Sequence, residues 1–492
     1  MSILIKGCAV LDDTQPDGYI SGQNILIEGN KISRITPSAI SEKAVDRVVD
    51  GKNRLAIPGL VNAHTHSPEN FPKATKEKLP LELWLLDLFL VGGFSPREIY
   101  LATMLGAMEM LKTGTTAVLD HLWMGDGLTP EGLDAAMQAY ADSGIRGGAA
   151  PLIEDSDQVM KAAVSARPAL SPLLEGNEHA MGAGEYVELL DWFFRKWHQA
   201  ENGRLLCFAG PSGFQWCSDE LLQGSLDVAR RHGGGWHMHL VETKLQAMVC
   251  FDLYGKSATA AMKERGLLGP EVSLAHCVWL DDADLDVLAD TDSRVVHNPA
   301  SNLRIGSGFS PVIEMLERGI KVALGTDGSA SSDNQIMFDA MKLAGLIHNL
   351  RSTDHHRWPS SRDIVRMATS YGAAALGMED DLGELKPGKL ADIVLLDTST
   401  LLFTPFNDAF RHLSYAENGS SVHTVIVDGK VVVEGGRVLT ADEQSIAEEA
   451  REAWARMGSE LPALRQKTEP LVREFEQYQQ EMIGREFYLN RY

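Results

Sequence analysis

His64 and His66 close the apolar run Ile57-Pro58-Gly59-Leu60-Val61-Asn62-Ala63. Side chains two apart on a strand share a face, so both imidazoles can reach one point. A second group, Trp236-His237-Met238-His239-Leu240-Val241-Glu242, ends another apolar stretch. Two residues separate His239 from Glu242, enough for the carboxylate to curl back over a cation held by the imidazole. His237 shares the face of His239 and reads either as a donor or as a buried, hydrogen-bonded histidine. His276 follows the apolar positions of Ser273-Leu274-Ala275, and Asp327 stands where Val322-Ala323-Leu324 meets a glycine loop. Singly, each has a plain explanation: a solvated strand end for His-x-His, a helix N-cap for Asp327. Together they offer three imidazoles and a carboxylate at the ends of four strand-like runs. That donor set suits a borderline divalent metal and leaves room for water.

The elements that must hold these residues change period along the chain. Residues 1–60 and 385–440 alternate in short apolar pieces with turn punctuation, such as Gly29-Asn30 and Asp428-Gly429. They predict a small β-sandwich built from both chain ends. Residues 61–384 repeat an apolar strand followed by a helical stretch about eight times, which predicts an α/β fold, a (β/α)8 TIM-type barrel. Catalytic residues of such barrels sit at the C-terminal ends of the strands, where all four groups fall. Residues 441–492 are charged and helical, and read as a tail docked on the barrel, docked on a neighbouring subunit, or solvated.

The 492 residues carry 45 Lys+Arg against 68 Asp+Glu, a net charge of −23. Such a chain repels phosphate backbones, which argues against a nucleic-acid partner. No apolar run approaches the ~18 residues needed to span a bilayer, and no leader pattern precedes the first strand. Five scattered cysteines (Cys8, Cys207, Cys217, Cys250, Cys277) read as free thiols of a reducing compartment. The expectation is a cytoplasmic enzyme with no membrane partner, assembled as a homo-oligomer, that takes a small heterocyclic molecule.

Several blocks are specific enough to carry a resemblance. They are PGLVNAHTH (58–66), LPLELWL (79–85), HMHLVET (237–243), LAHCVWL (274–280), HNPASNLRIGSG (297–308), LGTDGSASSDN (324–334), MATSYGAAALG (367–377) and GELKPGKLADIVLLD (383–397). With them the chain resembles the amidohydrolase superfamily over residues 1–440, in the subgroup of cytosine-deaminase-like and triazine-hydrolase-like enzymes. It is most similar to methylthioadenosine/S-adenosylhomocysteine deaminases. The resemblance implies metal ligands His64, His66, His239 and Asp327, with Glu242 and His276 as acid/base pair and Asp327 also taking a proton. It implies one divalent metal per chain, Zn most simply and Fe as the alternative. Two-metal relatives need a lysine on the fourth strand, and neither RLLCFAG (204–210) nor IRGGAAPLI (145–153) has one.

The implied reaction is hydrolytic removal of an exocyclic amine, or a similar leaving group, from a nitrogen heterocycle. A urea, carbamate or lactam C–N bond is the alternative substrate, and a non-catalytic scaffold the alternative class. Where the nucleoside deaminases read Gly-Pro-His, this chain reads Gly210-Pro211-Ser212, which favours a ring without ribose. Expected substrate contacts are His121, Ser212, Gln215 and Glu69, which follow predicted strand ends, together with Trp84 and Asn302. Trp84, Trp123 and Trp216 could wall an aromatic ring.

Overall fold

A computed structural model describes residues 2–175 and 181–492. Five strands open the chain: β1 (Ser2–Leu11), β2 (Tyr19–Glu28), β3 (Lys31–Thr36), β4 (Arg47–Asp50) and β5 (Arg54–Pro58). Eight follow in strand–helix alternation: β6 (Leu60–Thr65), β7 (Thr115–Leu122), β8 (Arg146–Ile153), β9 (Leu205–Pro211), β10 (Gly235–Leu240), β11 (Val272–His276), β12 (Arg294–His297) and β13 (Val322–Leu324). Four more close the pattern: β14 (Ile393–Asp397), β15 (Val422–Val427), β16 (Lys430–Glu434) and β17 (Arg437–Val438).

Strands β6 to β13 pair in sequence order, all parallel, as a nearly closed barrel. Nearly every residue on these strands is buried, because helices cover the outside while side chains fill the inside. This is why they read as continuous apolar runs rather than alternating ones. Inside, Val61, Ala63, Ala117, Leu119, Ala150, Leu206, Phe208, Val296 and Ala323 form one packed cluster. The barrel is therefore a filled core, and chemistry is confined to its rim.

The other strands form one nine-stranded mixed sheet in the order β17-β16-β15-β14-β5-β1-β2-β3, with β4 on β1. Its centre is the antiparallel pairing of β5 with β14, which joins the two halves of the chain. The sandwich expected from both ends is thus a single hydrogen-bonded sheet. Register shifts in β1 between Ile5 and Val10 let one strand serve β2, β4 and β5.

Sheet and barrel are pinned by a buried ion pair. The Arg146 guanidinium at the start of β8 donates from Nε and Nη2 to both Asp392 carboxylate oxygens at 3.0 Å, and Asp428 lies 3.5 Å away. Both partners are almost wholly buried. Removing one partner of such a pair strands the other charge without water. Asp392→Ala is therefore expected to lower unfolding free energy by about 3 kcal/mol, measured by urea denaturation; a loss under about 0.5 kcal/mol would show the pair to be dispensable.

The charged tail docks on its own barrel. Helix Glu443–Met457 packs on helix Pro96–Lys112, and helix Leu461–Ile483 lies against helix Leu81–Leu88. No helix among the described residues is long and apolar enough to cross a membrane. All five cysteines are buried and free.

Candidate active site

Each of the four sequence groups lies at the C-terminal end of a barrel strand. β6 ends in His64 and His66, β10 in His239 with Glu242 beyond it, β11 in His276, and Asp327 follows β13. His64 Nε2 and His66 Nε2 both stand 3.3 Å from Asp327 Oδ1, and His239 Nε2 is 3.3 Å from His66 Nε2. Buried ligand atoms fall into three groups, each within 4.8 Å: His64, His66 and Asp327; His64, His121 and His239; and Glu242, His276 and Asp327.

Hydrogen bonds on the far side of each ring decide which nitrogen faces the centre. His66 Nδ1–H donates to the His121 carbonyl and His239 Nδ1–H to the Ser212 carbonyl, each at 2.6 Å. A carbonyl only accepts, so both rings present an Nε2 lone pair inward. His64 Nδ1 pairs with His237 Nε2 at 2.7 Å, and His64 Nε2 is a buried nitrogen without a hydrogen-bond partner. A divalent cation fits this orphaned, oriented donor set. His237 has both nitrogens occupied, the second by Ser273 Oγ at 2.6 Å; of its two readings, the buried, hydrogen-bonded one holds.

His276 and Asp327 adopt φ of 70° and 66°, the left-handed region that non-glycine residues enter at a cost. The turn swings each side chain from its strand toward the barrel axis. His276 Nδ1–H donates to Asn302 Oδ1 at 2.9 Å, and its Nε2 looks across to Asp327 Oδ2 at 4.0 Å. A Cβ on the Gly328 that follows Asp327 would meet Glu69 Oε2 at 2.0 Å, so a side chain there would displace the buried Glu69 carboxylate.

The electrostatics separate the two carboxylates. Burial would push Asp327 up, but the facing His64 and His66 imidazoles hold it well below the usual carboxylate range. Burial, with the Asp327 charge adding to it, pushes Glu242 well above that range, which suits a proton donor at neutral pH. Glu242 Oε1 accepts from Ser307 Oγ at 3.1 Å and lies 3.3 Å from His276 Nδ1.

Above this centre opens a cavity of about 490 Å³, which His66, His239, Glu242, His276 and Asp327 line from below. Of the expected contacts, Ser212, Glu69 and Trp84 line it, as do Trp123 and Trp216. His121, Gln215 and Asn302 lie outside this lining, and a ring nitrogen of His121 lies within 4.8 Å of those of His64 and His239. The His121 ring is packed among the donor imidazoles, its Nε2 on the Gly210 carbonyl at 3.1 Å. Gln215 lies in the turn Phe214–Trp216, fully buried, with Oε1 toward Cys250. Asn302 stands behind His276. Wall residues not anticipated are Glu154, pushed up to about 8 by burial and by neighbouring Asp157, and Phe475 from the tail. Glu154 sits one residue past β8, where the rule of strand ends applied equally. Phe475 carried no local signal.

The profile of the amidohydrolase family matches residues 55–432, a span that contains every one of these donors. The chain belongs to the amidohydrolase family. This amidohydrolase is 35% identical over 454 residues to a 5′-deoxyadenosine deaminase of Methanosarcina mazei, covering 92% of the chain and 97% of the relative. It is 33% identical over 460 residues to a 5-methylthioadenosine/S-adenosylhomocysteine deaminase of Pelotomaculum thermopropionicum, covering 93% and 99%. Among solved structures, atrazine chlorohydrolase from Arthrobacter aurescens complexed with zinc superposes with a TM-score of 0.83 at 28% identity, over 92% of this chain and all of that one. The amidohydrolase is accordingly a metal-dependent hydrolase of carbon–nitrogen bonds, with deaminases of nitrogen heterocycles as its relatives.

Proposed function

We propose that this amidohydrolase deaminates a neutral or cationic amino-substituted nitrogen heterocycle, using one divalent metal, zinc in the simplest case, held by His64, His66, His239 and Asp327. The observation that carries the reading is geometric: Asp327 Oδ1 stands 3.3 Å from both His64 Nε2 and His66 Nε2 at the strand ends, and Glu242 stands beside this cluster, 3.3 Å from His276 Nδ1. One carboxyl among the donors and one outside them offer a base and an acid to the same reaction. The cavity wall supports the substrate class: Glu69, Asp126, Glu154 and Asp157 face it together with tryptophans, and no lysine or arginine does among the described residues. A phosphate or carboxylate would meet no counter-charge there.

A bound divalent cation supplies Lewis-acid activation of water at neutral pH. The chain's own groups do the rest. Asp327 Oδ2 and His276 Nε2 converge on the space where the attacking water must stand, and Asp327 takes its proton. His276, its Nδ1–H donated to Asn302 Oδ1, turns Nε2 toward that water, with the Asn298 amide 3.4 Å from the same nitrogen. Glu242 gives its proton to the ring nitrogen next to the attacked carbon, which makes the carbon electrophilic; the proton taken by Asp327 then passes to the amine, and as ammonia leaves the adduct's hydroxyl proton returns to Glu242, restoring both carboxyls. Trp84, Trp123 and Trp216 exclude bulk water and stack on the ring.

Ammonia release from a panel of 5′-deoxyadenosine, 5′-methylthioadenosine, adenosine, amino-triazines, amino-pterins and amino-pyrimidines tests the reading. Ser212 in place of a histidine leaves room and removes a donor near a ribose, so a ribose-free ring is expected to be the better substrate. Adenine-nucleoside deamination with kcat/KM above ~10⁵ M⁻¹s⁻¹, within the range of proficient enzymes, would instead assign a nucleoside. No ammonia from any ring, with amine release from an arylurea, would replace deamination by urea hydrolysis.

A further inference from the structure

Helix Leu461–Ile483 lies beyond the span matched by the amidohydrolase profile, yet it reaches the catalytic acid. Its Phe475 is a wall of the cavity. One turn on, Gln479 is buried, and its Nε2–H donates to Glu82 Oε2 at 2.5 Å. Glu82, on helix Leu81–Leu88, is itself buried on the cavity rim, and its other oxygen accepts from the Thr243 hydroxyl. Thr243 is the residue after Glu242 and caps helix Lys244–Tyr254 by accepting from the Gln246 amide at 3.3 Å. That helix returns the contact, since Gln246 Oε1 accepts from the Glu242 amide at 2.9 Å. Lys244 adds a second tie by donating to the Ile483 and Arg485 carbonyls at 2.6 and 2.8 Å.

Glu242 sits on a loop directly after Val241, whose φ is 36°, with no strand ladder to fix it. Glu82 has both oxygens engaged by protein, so it holds the loop and is not free to read substrate. We infer that the C-terminal helix is a working part of the catalytic apparatus: Gln479, through Glu82 and Thr243, positions the loop that carries Glu242. Gln479 and Glu82 are positioning residues, and Phe475 shapes the cavity from the same helix. The inference rests on the proposed function only in taking Glu242 as the proton donor.

The test uses the full-length, metal-loaded enzyme with the fastest substrate of the panel. Gln479→Met keeps side-chain length and removes the donor. Misplacing a catalytic group by a fraction of an ångström to an ångström costs about 10- to 100-fold in rate. Gln479→Met should therefore lower kcat at least tenfold, with KM within about threefold, metal content unchanged, and amide exchange faster over 241–250 but not over 60–65. Thr243→Val should reproduce the loss, and Thr243→Ser, which keeps both the hydroxyl donor and the cap, should restore the parental rate. Parental kcat in Gln479→Met, or a loss that follows metal content or KM, overturns the inference. A dead Glu242→Gln enzyme beside a fully active Gln479→Met enzyme would sink this inference alone. An active Glu242→Gln enzyme would sink the reading of Glu242 on which it rests.

Discussion

Glu242→Gln is expected to retain its metal and bind substrate while losing about 10²–10⁴-fold in kcat, the contribution typical of a positioned general acid or base. The amide keeps the shape of the side chain and can still accept from Ser307 Oγ, so folding and donor geometry should hold. What disappears is the proton. Glu242 is buried beside His276 and the Asp327 carboxylate. The measurement is steady-state turnover alongside elemental analysis and substrate binding by calorimetry. Metal loss in the variant would make Glu242 a ligand, and a rate within tenfold of the parent would move proton transfer to another residue.

Replacing the donors should do more damage and of a different kind. Alanine at His64, His66, His239 or Asp327 should lower bound metal and abolish turnover, because each is a proposed ligand whose donor atom lies in one of the overlapping buried groups. The parent should hold one tightly bound ion per chain, since β9 carries no lysine to bridge a second. Chelation should remove activity, and stoichiometric Zn²⁺ should restore it to the parent but not to the alanine variants. A variant with full metal content and near-parental rate would strike that residue from the ligand set. Two ions per chain, both needed for activity, would overturn the mononuclear assignment.

The donor set was readable from sequence because a barrel strand is apolar up to its last turn, so a polar residue at its end is conspicuous. His-x-His added a period-two signature, and His239 and Asp327 each ended a separate run. The choice between His237 and His239 was not readable. It depends on Ser273 Oγ and His64 Nδ1 occupying both nitrogens of His237, and those partners come from other strands. Gln215 lies away from the cavity lining for a local reason. The chain leaves β9 through a tight turn at Phe214–Trp216, so Ser212 and Trp216 face the cavity while Gln215 turns beneath it. Asn302 belonged to a conspicuous block, but the left-handed turn at His276 brings the imidazole between Asn302 and the cavity. The contribution of the tail was invisible because an amphipathic helix announces that it will dock and not where.

The pairing of β5 with β14 sets an order of events on the ribosome. Residues 54–58 emerge more than three hundred residues before their partner strand at 393–397. Synthesis at about 5–20 residues per second puts that interval at tens of seconds. Throughout it β1, β2 and β3 can pair with one another, but β5 offers a bare edge that would accept strands of other nascent chains. The barrel between them can close meanwhile, so the last major step in assembly is docking of the C-terminal strands onto a waiting N-terminal half. A transcript cut short after the barrel would encode every proposed ligand and still yield a polypeptide prone to aggregate.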